Sequence, residues 1–222
     1  MIMTEVNSPS ENLDQYVSCD ELEPCEDADH CIRGCTGDCC KAYDVLCSIH
    51  DIKRIHECIP SLDVTKYVSF FPSDPEYEDD PRIMLENKEY CIGLSQSKAL
   101  EACIFQTPVG LCGIHEISPR VCQIYPFKIH DGKDLLYKPE LVCNRLVPTR
   151  DPEKVKVQIK IQRHEMQEYQ AIADAWNAVL PHREGKKFLK FAGIYDYPDD
   201  PDNDEHDIRY DWATGTVVGV KN

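Results

Sequence analysis

Four cysteines stand within ten residues, Cys31, Cys35, Cys39 and Cys40, and the run closes on an adjacent pair in Cys-Ile-Arg-Gly-Cys-Thr-Gly-Asp-Cys-Cys. Neighbouring cysteines bond to each other only with strain in the peptide between them, whereas both can point at a metal that takes several thiolates. Gly34 and Gly37 lie inside the run and let the backbone wrap closely around a central atom. The feature specifies a ligand chemistry and leaves the reaction open.

A second group follows. Cys103-x8-Cys112-x9-Cys122 is joined twenty-one residues later by Cys143. The two groups supply eight candidate metal ligands: Cys31, Cys35, Cys39, Cys40, Cys103, Cys112, Cys122 and Cys143. Structural zinc and cubane iron-sulfur clusters each take four ligands, so eight thiolates suffice for two closed sites or for one polynuclear centre with cysteines left over. Arg33, Lys41 and Arg120 stand beside these cysteines and could offset the negative charge of a thiolate site. The spacing differs from the C-x3-C-x2-C of radical-SAM enzymes, because Asp38 occupies the third position, and no repeated strand-helix pattern suggests a barrel.

The thirteen cysteines all precede residue 144. Residues 1 to 16 are polar and acidic and read as no secretory leader, and no stretch approaches the ~18 consecutive apolar residues of a spanning helix. The expectation is a cytoplasmic chain whose thiols are metal ligands and buried small hydrophobes, not disulfides. With 24 Lys and Arg against 40 Asp and Glu, the formal charge of -16 repels duplex nucleic acid. The expected partner is therefore a protein or redox partner, with no nucleic acid and no membrane. The acid runs Asp20 to Asp29 and Asp196 to Asp207 read as solvated segments.

The pattern predicts an α+β fold: a small antiparallel sheet with flanking helices, a cysteine-bound metal core and a long C-terminal helix. Ser48 caps a predicted helix whose face is Ile49, Ile52, Ile55 and Ile59, ending at Pro60. A second short helix is predicted over Asp63 to Phe71, stopped by Pro72. Strands are predicted at Arg82 to Glu86, Tyr90 to Ser95 and Ala102 to Gln106, with Asn87-Lys88-Glu89 as a tight link, and another near Asp134 to Tyr137. Glu153 to Leu180, free of Gly and Pro and followed by Pro181, predicts the long helix. The expected division is a disordered leader (1–18), a cysteine-cluster domain (19–150), a helical extension packed on it (151–195) and an acidic tail (196–222).

The knot ending in Cys39-Cys40, the helix start Ser48-x2-Asp51-x2-Arg54, and the segment from Cys103-Ile-Phe through Cys112-Gly-Ile-His to Pro119-Arg-Val-Cys122-Gln-Ile-Tyr-Pro-Phe resemble the YkgJ-type family of CxxCxxCC zinc- or iron-chelating proteins. The knot here is spaced C-x3-C-x3-C-C. The resemblance implies a bound iron-sulfur cluster, with 4Fe-4S as one form, or zinc, with a biochemical role that is undefined across the family. A zinc-stapled interaction module is one alternative. Some relatives look like flagellin lysine N-methylases, which implies an S-adenosylmethionine-dependent methylase as another, though no glycine-rich nucleotide loop is present here.

Of the other candidates, Cys47, Cys58 and Cys91 read as buried small hydrophobes. Cys19 and Cys25 read as free thiols in the acidic leader. His115 and His30 are packing histidines or extra ligands, and His50 and His56 read as exposed on a helix surface. Tyr125 and Phe127, flanking Pro126, are expected to shield the centre from water. No Gly-x-Ser-x-Gly motif supports a nucleophilic triad, and catalytic residues are left unassigned.

Overall fold

The computed structural model describes residues 17–18, 37–74, 80–130, 134–137, 152–179, 184–195 and 207–220. Cys19, Cys25, His30, Cys31, Arg33, Cys35, Cys143 and the acid runs up to residue 206 lie outside these residues. The described part mixes helices with small antiparallel sheets, the α+β class expected. Among the described residues no helix is long and apolar enough to cross a membrane.

Two short helices open the core region, α1 (Asp38–Ala42) and α2 (Ile49–Cys58). Ser48 and Asp51 close a reciprocal capping box at the start of α2: the Ser48 N-H donates to Asp51 Oδ2 at 3.0 Å, and the Asp51 N-H donates to Ser48 Oγ at 3.2 Å. Ile49, Ile52 and Ile55 are fully buried, so this turn-by-turn stripe anchors α2 in the core at about 1.5–3 kcal/mol per side chain. The helix ends before Pro60, which disfavours helical backbone at Ile59.

The expected helix over Asp63 to Phe71 is corrected. A single turn, α3 (Val64–Tyr67), is capped by Asp63 through Thr65, and the chain then extends as β2 (Val68–Pro72). The β-favouring Val68, Phe70 and Phe71 pair with a neighbouring strand, and this long-range pairing outweighs a local helical pattern. β3 (Ile83–Leu85) and β4 (Lys88–Leu94) form a hairpin whose turn is Glu86-Asn87, both at positive φ, and not the expected link from Asn87 to Glu89. The sheet order is β2-β4-β3. Along β4, residues 45 to 47 continue the ladder: the Leu94 N-H donates to Val45 O at 2.9 Å and the Cys47 N-H to Ile92 O at 3.1 Å. The strand expected over Ala102 to Gln106 shrinks to β6 (Ala102–Cys103), paired with β5 (Gln96–Ser97).

Next come α4 (Arg120–Ile124), β7 (Phe127–His130) and β8 (Asp134–Tyr137), the last pairing also with β1 (Val17–Ser18). The long helix α5 spans Pro152–Val179 and lays Tyr169, Ile172, Ala173 and Trp176 into the core. Its end also closes a sheet edge. Trp176 Nε1 donates to Met84 O at 3.0 Å, the Met84 N-H donates to Asn177 Oδ1 at 2.8 Å, and Asn177 Nδ2 donates to Arg82 O at 2.9 Å. Two side chains thus satisfy backbone groups that an edge strand leaves open.

α6 (Gly185–Phe191) adds Phe188, Leu189 and Phe191 to the core. Residues 207–220, expected within the acidic tail, form the hairpin of β9 (Asp207–Asp211) and β10 (Thr216–Val220). Trp212 fixes it, its Nε1 donating to Ala192 O at 2.9 Å while the ring meets His50 edge-on at 4.8 Å. His50 is therefore half-buried instead of exposed, and burial lowers its pKa.

Candidate metal centre

The described end of the cysteine knot is held by a glycine. Gly37, the residue before α1, takes φ +66°, and a Cβ there would lie 2.1 Å from Gln106 Nε2 and 2.3 Å from Gly110 O. The close approach lets the buried Gln106 donate to Gly37 O at 2.8 Å. Gln106 is itself fixed between two candidate ligands: its N-H donates to Cys103 O at 2.8 Å, and it bridges in register to Cys112. One buried amide thereby places Cys39 and Cys40, on α1, beside the loop that carries Cys103 and Cys112, and α1 packs against β6. Nothing in the local sequence marks Gln106 for this role, because its partner lies 69 residues away.

Cys122 arrives on α4, and Asp51 decides where. This carboxylate is 2 % exposed. Beyond its capping box it accepts the Arg120 backbone N-H at 2.9 Å, so one side chain caps the first turns of both α2 and α4. Arg54 pairs with Asp51 and also donates to Ser118 O at 3.2 Å, binding the same two segments together. The Arg120 guanidinium donates to Gln158 at 2.5 Å, Gln123 at 3.2 Å and Glu165 at 3.5 Å, and so serves the joint of α4 with α5. The anticipated service of Arg120 to the cysteines is replaced by this structural one.

No disulfide joins any two of the described cysteines. Five of the eight proposed ligands, Cys39, Cys40, Cys103, Cys112 and Cys122, come within one another's electrostatic reach. The adjacent pair shares a hydrogen bond: it draws Cys39 down to about 7 and, with burial, pushes Cys40 far up. Burial is the main force raising Cys103 and Cys122, and the neighbouring thiols add to it. Buried and half-buried thiols, several of which oppose one another's ionisation, are relieved by a cation, which replaces their protons. The donor set therefore fits a thiophilic ion such as zinc or iron. Among the described residues, no three His, Cys, Asp or Glu side chains already close around one point.

A cavity of 660 Å³ adjoins the thiols, and Cys39, Cys40 and Cys122 stand in its wall. Tyr125 lines it too and meets Tyr43 at a ring separation of 5.9 Å. His115 sits exposed in a short turn, His115–Ile117. Cys58, at the end of α2, is exposed instead of buried, while Cys47 and Cys91 are buried.

Residues 30–144, slightly more than half of the chain, match the family model CxxCxxCC, described as a "putative zinc- or iron-chelating domain". No curated protein and no solved structure matches the chain.

Proposed function

The chain belongs to the CxxCxxCC family, and from that premise we propose that it chelates metal through Cys31, Cys35, Cys39, Cys40, Cys103, Cys112, Cys122 and Cys143, held as an iron-sulfur cluster. The supporting observation is that five buried or half-buried thiols from α1, β6, the following loop and α4 lie within one another's electrostatic reach. Five thiols exceed the four that one zinc ion or one cubane cluster takes, and with Cys31, Cys35 and Cys143 the set would suffice for two four-thiolate sites or one polynuclear centre. Such a cluster ties α1 to β6 and α4, and its part in function is electron transfer with a protein partner. Here the fold would set the potential through burial and through aromatic cover from Tyr43 and Tyr125.

Anaerobic purification followed by iron, zinc and acid-labile sulfide analysis and a visible spectrum tests this reading. Iron and sulfide with a brown chromophore are expected. Zinc without sulfide would overturn the cluster and leave chelation standing; a protein that takes up neither metal would overturn both. Cys40→Ser is expected to lose most of the metal, whereas Cys58→Ser, on the exposed end of α2, keeps the wild-type content.

A further inference from the structure

We propose that His50, His164 and Glu168 form a second metal site, free of sulfur, that takes a divalent transition ion of the zinc or nickel kind. His50 stands on α2, and His164 and Glu168 lie one turn apart on α5. None of the three lines the chamber beside the thiols, so the site is separate from the cysteine centre and independent of the chelation reading. Two imidazoles and a carboxylate make a three-ligand zinc site that leaves a fourth position for water, and imidazole suits nickel equally.

The geometry favours a shared ion over a simple ion pair. Glu168 presents one oxygen to each ring: Oε2 lies 3.1 Å from His50 Nε2, and Oε1 lies 3.7 Å from His164 Nε2. Two ligands held at the zinc-ligand distance from one tetrahedral ion stand about 3.4 Å apart, a value that the two separations bracket. His50 Nε2 is buried, yet no hydrogen bond joins it to the carboxylate or to any other described group. An imidazole that merely paired with Glu168 would aim its N-H along the line to the oxygen, whereas two ligands of one ion both aim at a point between them. The three side chains do not yet close around one point. His164 is 71 % exposed, and its ring can turn to meet an ion seated between His50 and Glu168.

The surrounding charges agree with a cation. Burial lowers the His50 pKa, which keeps the ring neutral and able to offer a lone pair at neutral pH. Lys53 and Arg54, the cations of α2, are engaged elsewhere, Lys53 with Glu57 and Arg54 with Asp51 and Glu165. The Glu168 charge is thus left for the ion, and the net charge of -16 draws cations to the chain. An ion held here would join α2 to α5 close to the Trp212 ring, which lies 4.8 Å from that of His50.

Nickel(II) is the probe. Full-length protein, purified anaerobically with its cysteine centre intact and dialysed against citrate to clear a nitrogen-oxygen site, is titrated with Ni²⁺ at neutral pH in a calorimeter. One ion per chain is expected at this site. His164→Ala and Glu168→Ala should each weaken it by at least about tenfold, the smallest loss seen when even a group that only orients a ligand is removed. Both side chains are well exposed, so neither change threatens the fold. His115→Ala, which removes an exposed imidazole elsewhere, should match the wild type. Wild-type nickel affinity in either of the first two variants overturns the site, and so does a wild-type protein that takes up no nickel. Neither result bears on the cysteine centre, which stands or falls on the iron, zinc and sulfide of the protein as purified.

Discussion

Asp51→Ala is expected to lower the stability of the metal-free protein by about 3–5 kcal/mol, the cost of removing one partner of a buried, hydrogen-bonded charge pair. The carboxylate is 2 % exposed and receives the Ser48 N-H, the Ser48 hydroxyl, the Arg120 N-H and Arg54. Its loss strands two backbone donors at helix starts, each worth about 1–3 kcal/mol when left unsatisfied. Arg54 adds less than a fully buried partner would, because its side chain is 23 % exposed and keeps Ser118 O. Asp51→Asn retains an acceptor for the Arg120 N-H and should cost distinctly less. Urea unfolding of the three metal-free proteins measures the effect; a loss within about 0.5 kcal/mol for Asp51→Ala, the range of an ordinary surface change, would show that the carboxylate does not join the two helices. Because α4 carries Cys122, metal affinity should weaken in the same order as stability.

Asp51 also shows where sequence reading reaches its limit. Ser48, Asp51 and the isoleucine stripe announce a capped, amphipathic helix, since cap and stripe are local, and the structure has both. The second duty of the same carboxylate, capping α4 from 69 residues away, leaves no local signature. Gln106 is equally silent, a polar residue in a turn-rich stretch until the fold brings Gly37 to it. Val68 to Pro72 was misleading for a related reason: a short apolar run carries either period, and only pairing with β4 decides it. His50 looked solvent-facing because Trp212, the residue that covers it, follows it by far more than a helix turn. The cysteines advertise their chemistry by type and spacing, but which segments carry them to one region is set by Gln106, Asp51 and Arg120, none of which the cysteine spacing would select.

Gly37→Ala is expected to weaken metal binding about a hundredfold, equivalent to roughly 2.7 kcal/mol, while leaving the core folded. Left-handed backbone at φ +66° costs an alanine about 1–2 kcal/mol by itself. The added methyl would also meet Gln106 Nε2 at 2.1 Å and Gly110 O at 2.3 Å; the amide could swing aside, but the carbonyl belongs to backbone. Relief requires α1 to withdraw from the Cys103 to Cys112 loop, which breaks the bond from Gln106 to Gly37 O and carries Cys39 and Cys40 away from their partners. The buried stripe of α2 and the aromatic residues of α5 and α6 lie elsewhere, so the far-ultraviolet circular dichroism of the metal-free protein should be unchanged. Gly113→Ala is the matched control, since a Cβ there meets nothing nearer than 3.4 Å and no positive φ is involved. Competition with a chromophoric chelator reads the affinities, and equal values for the two variants would mean that the tight seat of Gly37 does not position the adjacent cysteines.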